Sequence, residues 1–185
     1  MKTDLTEYKE RLDRFNSTPK YLSELDLLLR LVNPLRGETI LDYGCGTGTA
    51  VQFIRERSAA KVLGFDRYEY TEPTPEWFRA HVYFHVNKAY FMHSLAHIEF
   101  PVDILRRLRE YLQPKATISV ITPNLLWIIN TNPKDYKPDP TVIQHFTASS
   151  LKELFEKAGY KIKHIGETGE ILLGHHERLF LLAEI

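Results

Sequence analysis

One cysteine, Cys45, is all that the 185 residues contain. No disulfide can form within such a chain, which fits a reducing compartment. Net charge is missing too, because 24 Lys and Arg stand against 24 Asp and Glu. That balance removes the simplest ground for a nucleic-acid partner or an anionic membrane surface. There is no uncharged apolar run of membrane-spanning length, and the opening Met1-Lys2-Thr3-Asp4 is no signal peptide. These absences lead us to expect a cytoplasmic protein with no membrane insertion and no nucleic-acid partner. Internal repeats and low-complexity blocks are also lacking, and the length suits one domain with a core of ordinary size. The sequence does not fix the oligomeric state.

The densest signal present is Leu41-Asp42-Tyr43-Gly44-Cys45-Gly46-Thr47-Gly48. A strand pattern over 39–43 runs into it and a helical pattern over 48–57 leaves it. A second strand pattern, 61–66, ends on Asp66. Strand, glycine turn, helix, strand and acid together form a unit that holds an adenosine-containing cofactor. Glycines allow a tight turn and a close backbone approach. The helix start offers unbonded N–H groups, and a carboxylate about 20 residues on can take ribose hydroxyls. A dinucleotide fingerprint would carry Gly or Ala at position 49, where this chain has Thr49; the third glycine comes early, at Gly48. Asp42, just before the turn, would repel a pyrophosphate and suits a ligand with an ammonium and a sulfonium. A nicotinamide-dependent reductase is disfavoured on both counts.

Elsewhere, apolar spacing predicts helices over 1–16 and over 19–32, the second opened by Thr18 and Pro19. Further helices are expected over 76–80, from Pro101 and over 147–158, with a short turn or helix over 125–129. Strands are expected over 82–84, 89–92, 116–121, 160–165 and 178–184. The stretch 131–146 holds Pro133, Pro138 and Pro140 and reads as a loop. The alternation predicts an α/β fold: a Rossmann-like, doubly wound, mainly parallel seven-stranded sheet with helices on both faces. The ligand then sits beyond the carboxyl ends of the strands.

With Asp42, Gly44, Gly46 and Gly48 in this order, the chain resembles the class I S-adenosylmethionine-dependent methyltransferases. The resemblance implies that Gly44, Cys45, Gly46 and Gly48 wrap the methionine part of S-adenosyl-L-methionine. It implies that Asp66, with Arg67 beside it, binds the ribose, and that His93 borders the cofactor. Many relatives hold the adenine with an acid after the third strand. Here that loop reads His85-Val86-Asn87-Lys88, so Asn87 or a backbone group is the candidate, with His85 near it. His93, Leu95 and His97 resemble a histidine–leucine–glutamate–histidine segment of small-molecule and sugar O-methyltransferases, with Ala96 in place of the acid. By the same resemblance, residues 1–34 form a cover over cofactor and acceptor. Residues 35–185 form the methyltransferase domain, within one structural unit.

Methyl transfer to a hydroxyl needs positioning and a base, and histidine titrates near neutral pH. The candidate bases are His97, then His145, then His93. The place after the strand over 89–92 holds His93-Ser94-Leu95-Ala96, which lacks the Asn/Asp-Pro-Pro-aromatic pattern of enzymes that methylate amide or base nitrogens. No third ligand accompanies His93 and His97, so no metal is expected, and His175-His176-Glu177 reads as a solvated hairpin. Tyr8, Phe15, Tyr21, Trp127, Tyr136 and Phe146 are candidates to line an acceptor cleft. The sequence therefore points to O-methylation of a small molecule or a sugar or glycan hydroxyl by a histidine base. The alternative is a non-catalytic S-adenosylmethionine-binding regulatory module.

Overall fold

A break at Ser17 separates the first two helices, α1 (Leu5–Asn16) and α2 (Pro19–Val32). The Thr18 hydroxyl accepts the Tyr21 N–H at 3.2 Å, and Pro19 fills a first-turn position where no N–H is needed. Asn33 ends α2 in the left-handed region, φ 43°, with its N–H returned to the Leu29 carbonyl. The computed structural model describes residues 5–66, 86–131, 139, 141–172 and 174–185. Within them follow β1 (Thr39–Tyr43), α3 (Thr49–Arg57), β2 (Lys61–Phe65), β3 (Val86–Met92) and a 3-10 turn (Leu95–His97). Then come α4 (Pro101–Leu108), β4 (Leu112–Pro123), α5 (Leu125–Asn130), α6 (Ala148–Lys157), β5 (Lys161–Leu172) and β6 (His175–Glu184).

The strands form one sheet in the order β2-β1-β3-β4-β6-β5. Side chains alternate across it with the period of two that a pleated strand imposes. Along β3, Ala89 and Phe91 join a core under α4 and α6 that includes Leu105, Leu108, Leu151 and Phe155. Tyr90 and Met92 join the opposite core, under α2 and α3, with Leu25, Leu28, Val32 and Ile54. Each fully buried Leu or Phe adds about 1.5–3 kcal/mol, so both faces hold the sheet. Thr147 starts α6 with a reciprocal cap, its hydroxyl accepting from Ser150 N–H and its own N–H given to Ser150 Oγ.

The doubly wound α/β expectation holds, and three details differ. β2-β1-β3-β4 run parallel, but β6 is antiparallel to both β4 and β5, so the sheet is mixed. A tight turn at Gly174, φ 82°, joins β5 to β6, and a turn that short can join only antiparallel strands. Six strands are described; the strand expected over 82–84 and the helix over 76–80 lie outside the described residues. β3 begins at Val86 rather than 89 because its polar positions are satisfied within the protein. Asn87 Oδ1 accepts the Thr39 N–H at 2.8 Å, Asn87 Nδ2 donates to Gln113, and Lys88 Nζ reaches the Asn33 carbonyl. α2 shares a core with α3 and the sheet.

The register carries the functional consequence. β6 enters the sheet with Arg178 opposite Pro123, the last residue of β4. The start of β6 therefore reaches the carboxyl edge, and the β5–β6 hairpin rises beyond it. No helix among the described residues is long and apolar enough to cross a membrane.

Candidate active site

β1 and β2 pair with Asp42 opposite Gly64 and Tyr43 opposite Phe65, so the glycine turn and Asp66 leave the sheet side by side. The Phe65 carbonyl accepts both the Gly44 N–H, at 2.6 Å, and the Cys45 N–H, at 3.0 Å. Asp66 Oδ2 accepts the Gly46 N–H at 2.9 Å. Gly44 has φ 84° and Gly46 φ 52°, where a Cβ strains the backbone. A Cβ on Gly44 would also stand 2.3 Å from Ser94 Cβ. What needs the space at Gly44 is therefore the segment after β3, whose Ser94 hydroxyl donates to the Tyr43 carbonyl. From above, Asn16 Nδ2 donates to Thr47 Oγ1 at 3.1 Å and Thr49 Oγ1 at 3.0 Å. Gly48 caps α3 through its backbone alone.

Asp42 stands behind the turn, 1% exposed, and neither carboxylate oxygen has a hydrogen-bond partner. Burial pushes its carboxyl well above the usual range; the Tyr90 hydroxyl opposes that shift and Asp66 adds to it. The Tyr90 hydroxyl is a neighbour without a well-aligned bond, since it too is buried unpartnered.

β3 lies between β1 and β4, so the residues after Met92 emerge next to the glycine turn. His97 closes the 3-10 turn there. Its Nδ1 lies 2.9 Å from the Thr141 carbonyl and 3.0 Å from Thr141 Oγ1. The segment is pinned in place because Ala96 O accepts the N–H groups of Ile143 and Gln144. Burial lowers the His97 pKa below the ordinary 6.5, with the Thr141 carbonyl and Asp139 working against that and His93 and Arg11 adding to it.

His93 is differently committed. It holds a left-handed φ of 58°, and its Nε2 meets Glu24 Oε2 at 2.5 Å. Glu24 Oε1 lies 2.9 Å from Arg178 Nε, and Arg178 Nη1 lies 2.9 Å from Glu177 Oε1, which Lys20 Nζ also contacts. Glu24, Glu177 and Arg178 are each under 9% exposed. Burial works to raise the Glu24 pKa, but His93, Arg178 and Lys20 outweigh it and hold the carboxyl below its usual range. The result is a buried, charge-balanced chain running from α2 to the β6 edge.

These groups border one cleft of about 1000 Å³. Of the expected cofactor residues, Gly44, Cys45, Gly46, Asp66 and His93 line it; Asp42, buried behind the turn, and Gly48 do not. His97 and His145 line it too, His145 exposed at the rim. Asn87 does not reach it, being tied to Thr39 and Gln113 at the other end of β3. Arg67 and His85 lie outside the described residues, as do Tyr136 and the side chain of Tyr8. Phe15, Tyr21 and Trp127 line the cleft, whereas Phe146 is core. Among the described residues no group of three or more His, Cys, Asp or Glu could hold a metal ion.

A family described as a methyltransferase domain matches residues 8–165. The chain belongs to this methyltransferase family. The methyltransferase is similar in fold to an S-adenosylmethionine-dependent methyltransferase of Aquifex aeolicus, at 18% identity, TM-score 0.71 and full coverage of both chains. It is also similar to 1,6-didemethyltoxoflavin-N1-methyltransferase of Burkholderia thailandensis, solved with bound 1,6-didemethyltoxoflavin and S-adenosylhomocysteine. That likeness has 15% identity and TM-score 0.68, over 97% of this chain and 84% of that one. A curated Haemophilus influenzae protein, described as uncharacterized, is 38% identical over 69 residues; the match spans 36% of this chain and 27% of that protein.

The residues present fit S-adenosylmethionine, the cofactor that the sequence resemblance implies. A fully buried carboxyl with two orphaned oxygens, Asp42, backs the turn where a cationic ligand would lie. Asp66 lines the cleft, where its carboxylate could take ribose hydroxyls. Residues that sequence reasoning missed are Glu24, Lys20, Glu177 and Arg178, together with Thr141 and Asp139. One signal was available: Glu24 falls on the apolar stripe of α2, between Tyr21 and Leu28, where a charge needs a partner.

Proposed function

We propose that this methyltransferase acts on a hydroxyl of a small molecule or sugar unit, with His97 as general base. The observation that carries this reading is the hydrogen bonding of His97. Its Nδ1 faces the Thr141 carbonyl, which can only accept, so Nδ1 bears the proton and Nε2 is the bare nitrogen. A depressed pKa keeps the ring neutral near pH 7. When bound, S-adenosylmethionine supplies a methyl group already activated by a sulfonium. Gly44, Cys45, Gly46 and Asp66 would hold it; His97 takes the acceptor's hydroxyl proton. His93, already bound to Glu24, orders the wall instead.

The acceptor class is supported by the other end of the cleft. Trp127 Nε1 and Glu177 Oε2 are both buried without partners there, one a donor and one an acceptor. A hydroxyl-bearing ligand answers both, because a hydroxyl donates and accepts. The volume, at the upper end of the roughly 300–1000 Å³ of single-ligand sites, leaves room for an acceptor beside a cofactor. The alternative of a non-catalytic binding module draws on a shortage of covering segments. α1 and the β5–β6 hairpin supply that cover.

The test is a panel of sugars, phenols and aliphatic alcohols incubated with S-adenosylmethionine, read by S-adenosylhomocysteine release and by the mass of the methylated product. Transfer only to nitrogen acceptors would sink the reading. Asp66→Ala should weaken S-adenosylhomocysteine binding by about 1–3 kcal/mol, by removing an acceptor of ribose hydroxyls. Calorimetry giving the wild-type dissociation constant would reassign the ribose contact.

A further inference from the structure

A file of residues from separate parts of the chain stands behind the proposed base. Arg11 Nη1 donates to Asp139 Oδ1 at 2.7 Å. The same oxygen accepts the Thr141 hydroxyl at 2.7 Å and the Thr141 N–H at 2.8 Å. Thr141 then presents its hydroxyl oxygen and its carbonyl to His97 Nδ1. The carboxylate sets the direction. An ionised Asp139 offers only lone pairs, and the Arg11 guanidinium beside it helps to hold it ionised and in place. The Thr141 hydroxyl proton goes to Asp139, and its oxygen can offer His97 only lone pairs. Both oxygens facing Nδ1 are thus acceptors, and the imidazole proton is drawn there.

We propose that Arg11 is a positioning residue for this base: through Asp139 and Thr141, α1 holds His97 with its proton on Nδ1 and Nε2 open to the acceptor. The same helix touches the cofactor side. Asn16, at its end, bonds Thr47 and Thr49, and a Cβ on Gly46 would come within 3.1 Å of Leu12. One helix therefore joins the glycine turn to the base, and the base is set when α1 is seated on that turn. The charged groups acting on His97 are Asp139, His93 and Arg11. The proposal rests on the reading of His97 as base, yet the orientation can be measured without catalysis.

Long-range proton–nitrogen correlation spectra of the intact protein, with His97 signals assigned by their loss in His97→Gln, report which imidazole nitrogen carries the proton. The wild type should show the Nδ1–H form. Arg11→Ala should shift population toward the Nε2–H form, and Arg11→Lys should restore it. Asp139→Ala removes the acceptor of the Thr141 hydroxyl, whose proton can then turn toward His97, so it should shift the population further; it also serves if Arg11→Ala does not fold. Wild-type spectra in both Arg11→Ala and Asp139→Ala overturn the proposal, whatever the activity. A shifted tautomer combined with undiminished methyl transfer by His97→Gln upholds the positioning and removes the base assignment.

Discussion

His97→Gln is expected to lower kcat by about 10²–10⁴, the usual cost of losing a general base. Glutamine is close in size and its amide can still donate to the Thr141 carbonyl, so the turn over 95–97 should keep its shape. Affinity for S-adenosylhomocysteine, read by calorimetry, should stay near the wild-type value. The pH profile gives a second reading. The base works unprotonated, so kcat/KM should rise with pH along a single limb. Because burial depresses the His97 pKa, the midpoint should fall below 6.5. A limb centred above 6.5, or an unchanged kcat in the variant, would falsify the assignment.

Arg178→Met should destabilise the fold by about 3–5 kcal/mol, the range for removing one partner of a buried ion pair. Glu24 and Glu177 would both lose the guanidinium that lies between them while 6% accessible as side chains. Lys20 and His93 remain, which keeps the cost inside that range. Urea unfolding at pH 7 measures it. The pH dependence separates charge from packing. The Glu24 pKa is lowered in the fold from its ordinary 4.5, so its contribution is present above that pH and is lost as pH falls through the folded value. The deficit of Arg178→Met should therefore be full at pH 7 and shrink on acidification below 4.5. A deficit under 1 kcal/mol, or one that is flat with pH, would show that the network carries little of the stability.

Local rules located much of this molecule. Thr18, Pro19 and Thr147 mark helix starts by side-chain chemistry confined to one turn, and the glycine turn with Asp66 is set by spacing along the chain. The sequence was silent where partners lie far apart. Arg11 and Asp139 are 128 positions apart, and Lys20 and Glu177 are 157 apart. Lys88 and Asn87 read as loop because a polar pair inside a strand looks wrong until Asn33, Thr39 and Gln113 are seen to satisfy them. The hairpin was under-read at both ends because its outer half projects past the sheet, where no core imposes apolar alternation. His176 shows this: its N–H goes to Glu167, and its Nδ1 bonds the Gly169 carbonyl.

The strand order also constrains how the chain can be made. β6 follows β5 in synthesis yet lies inside it, between β4 and β5. β5 has no neighbour to join until β6 has emerged, and β4 keeps an open edge throughout. That edge belongs to a strand bearing Ile118, Val120 and Ile121, all fully buried in the finished fold. A nascent or truncated chain that stops before residue 175 would expose an apolar strand ready to pair with another copy. Such a chain also lacks Arg178, so Glu24 would wait on α2 without its guanidinium until the sheet closes.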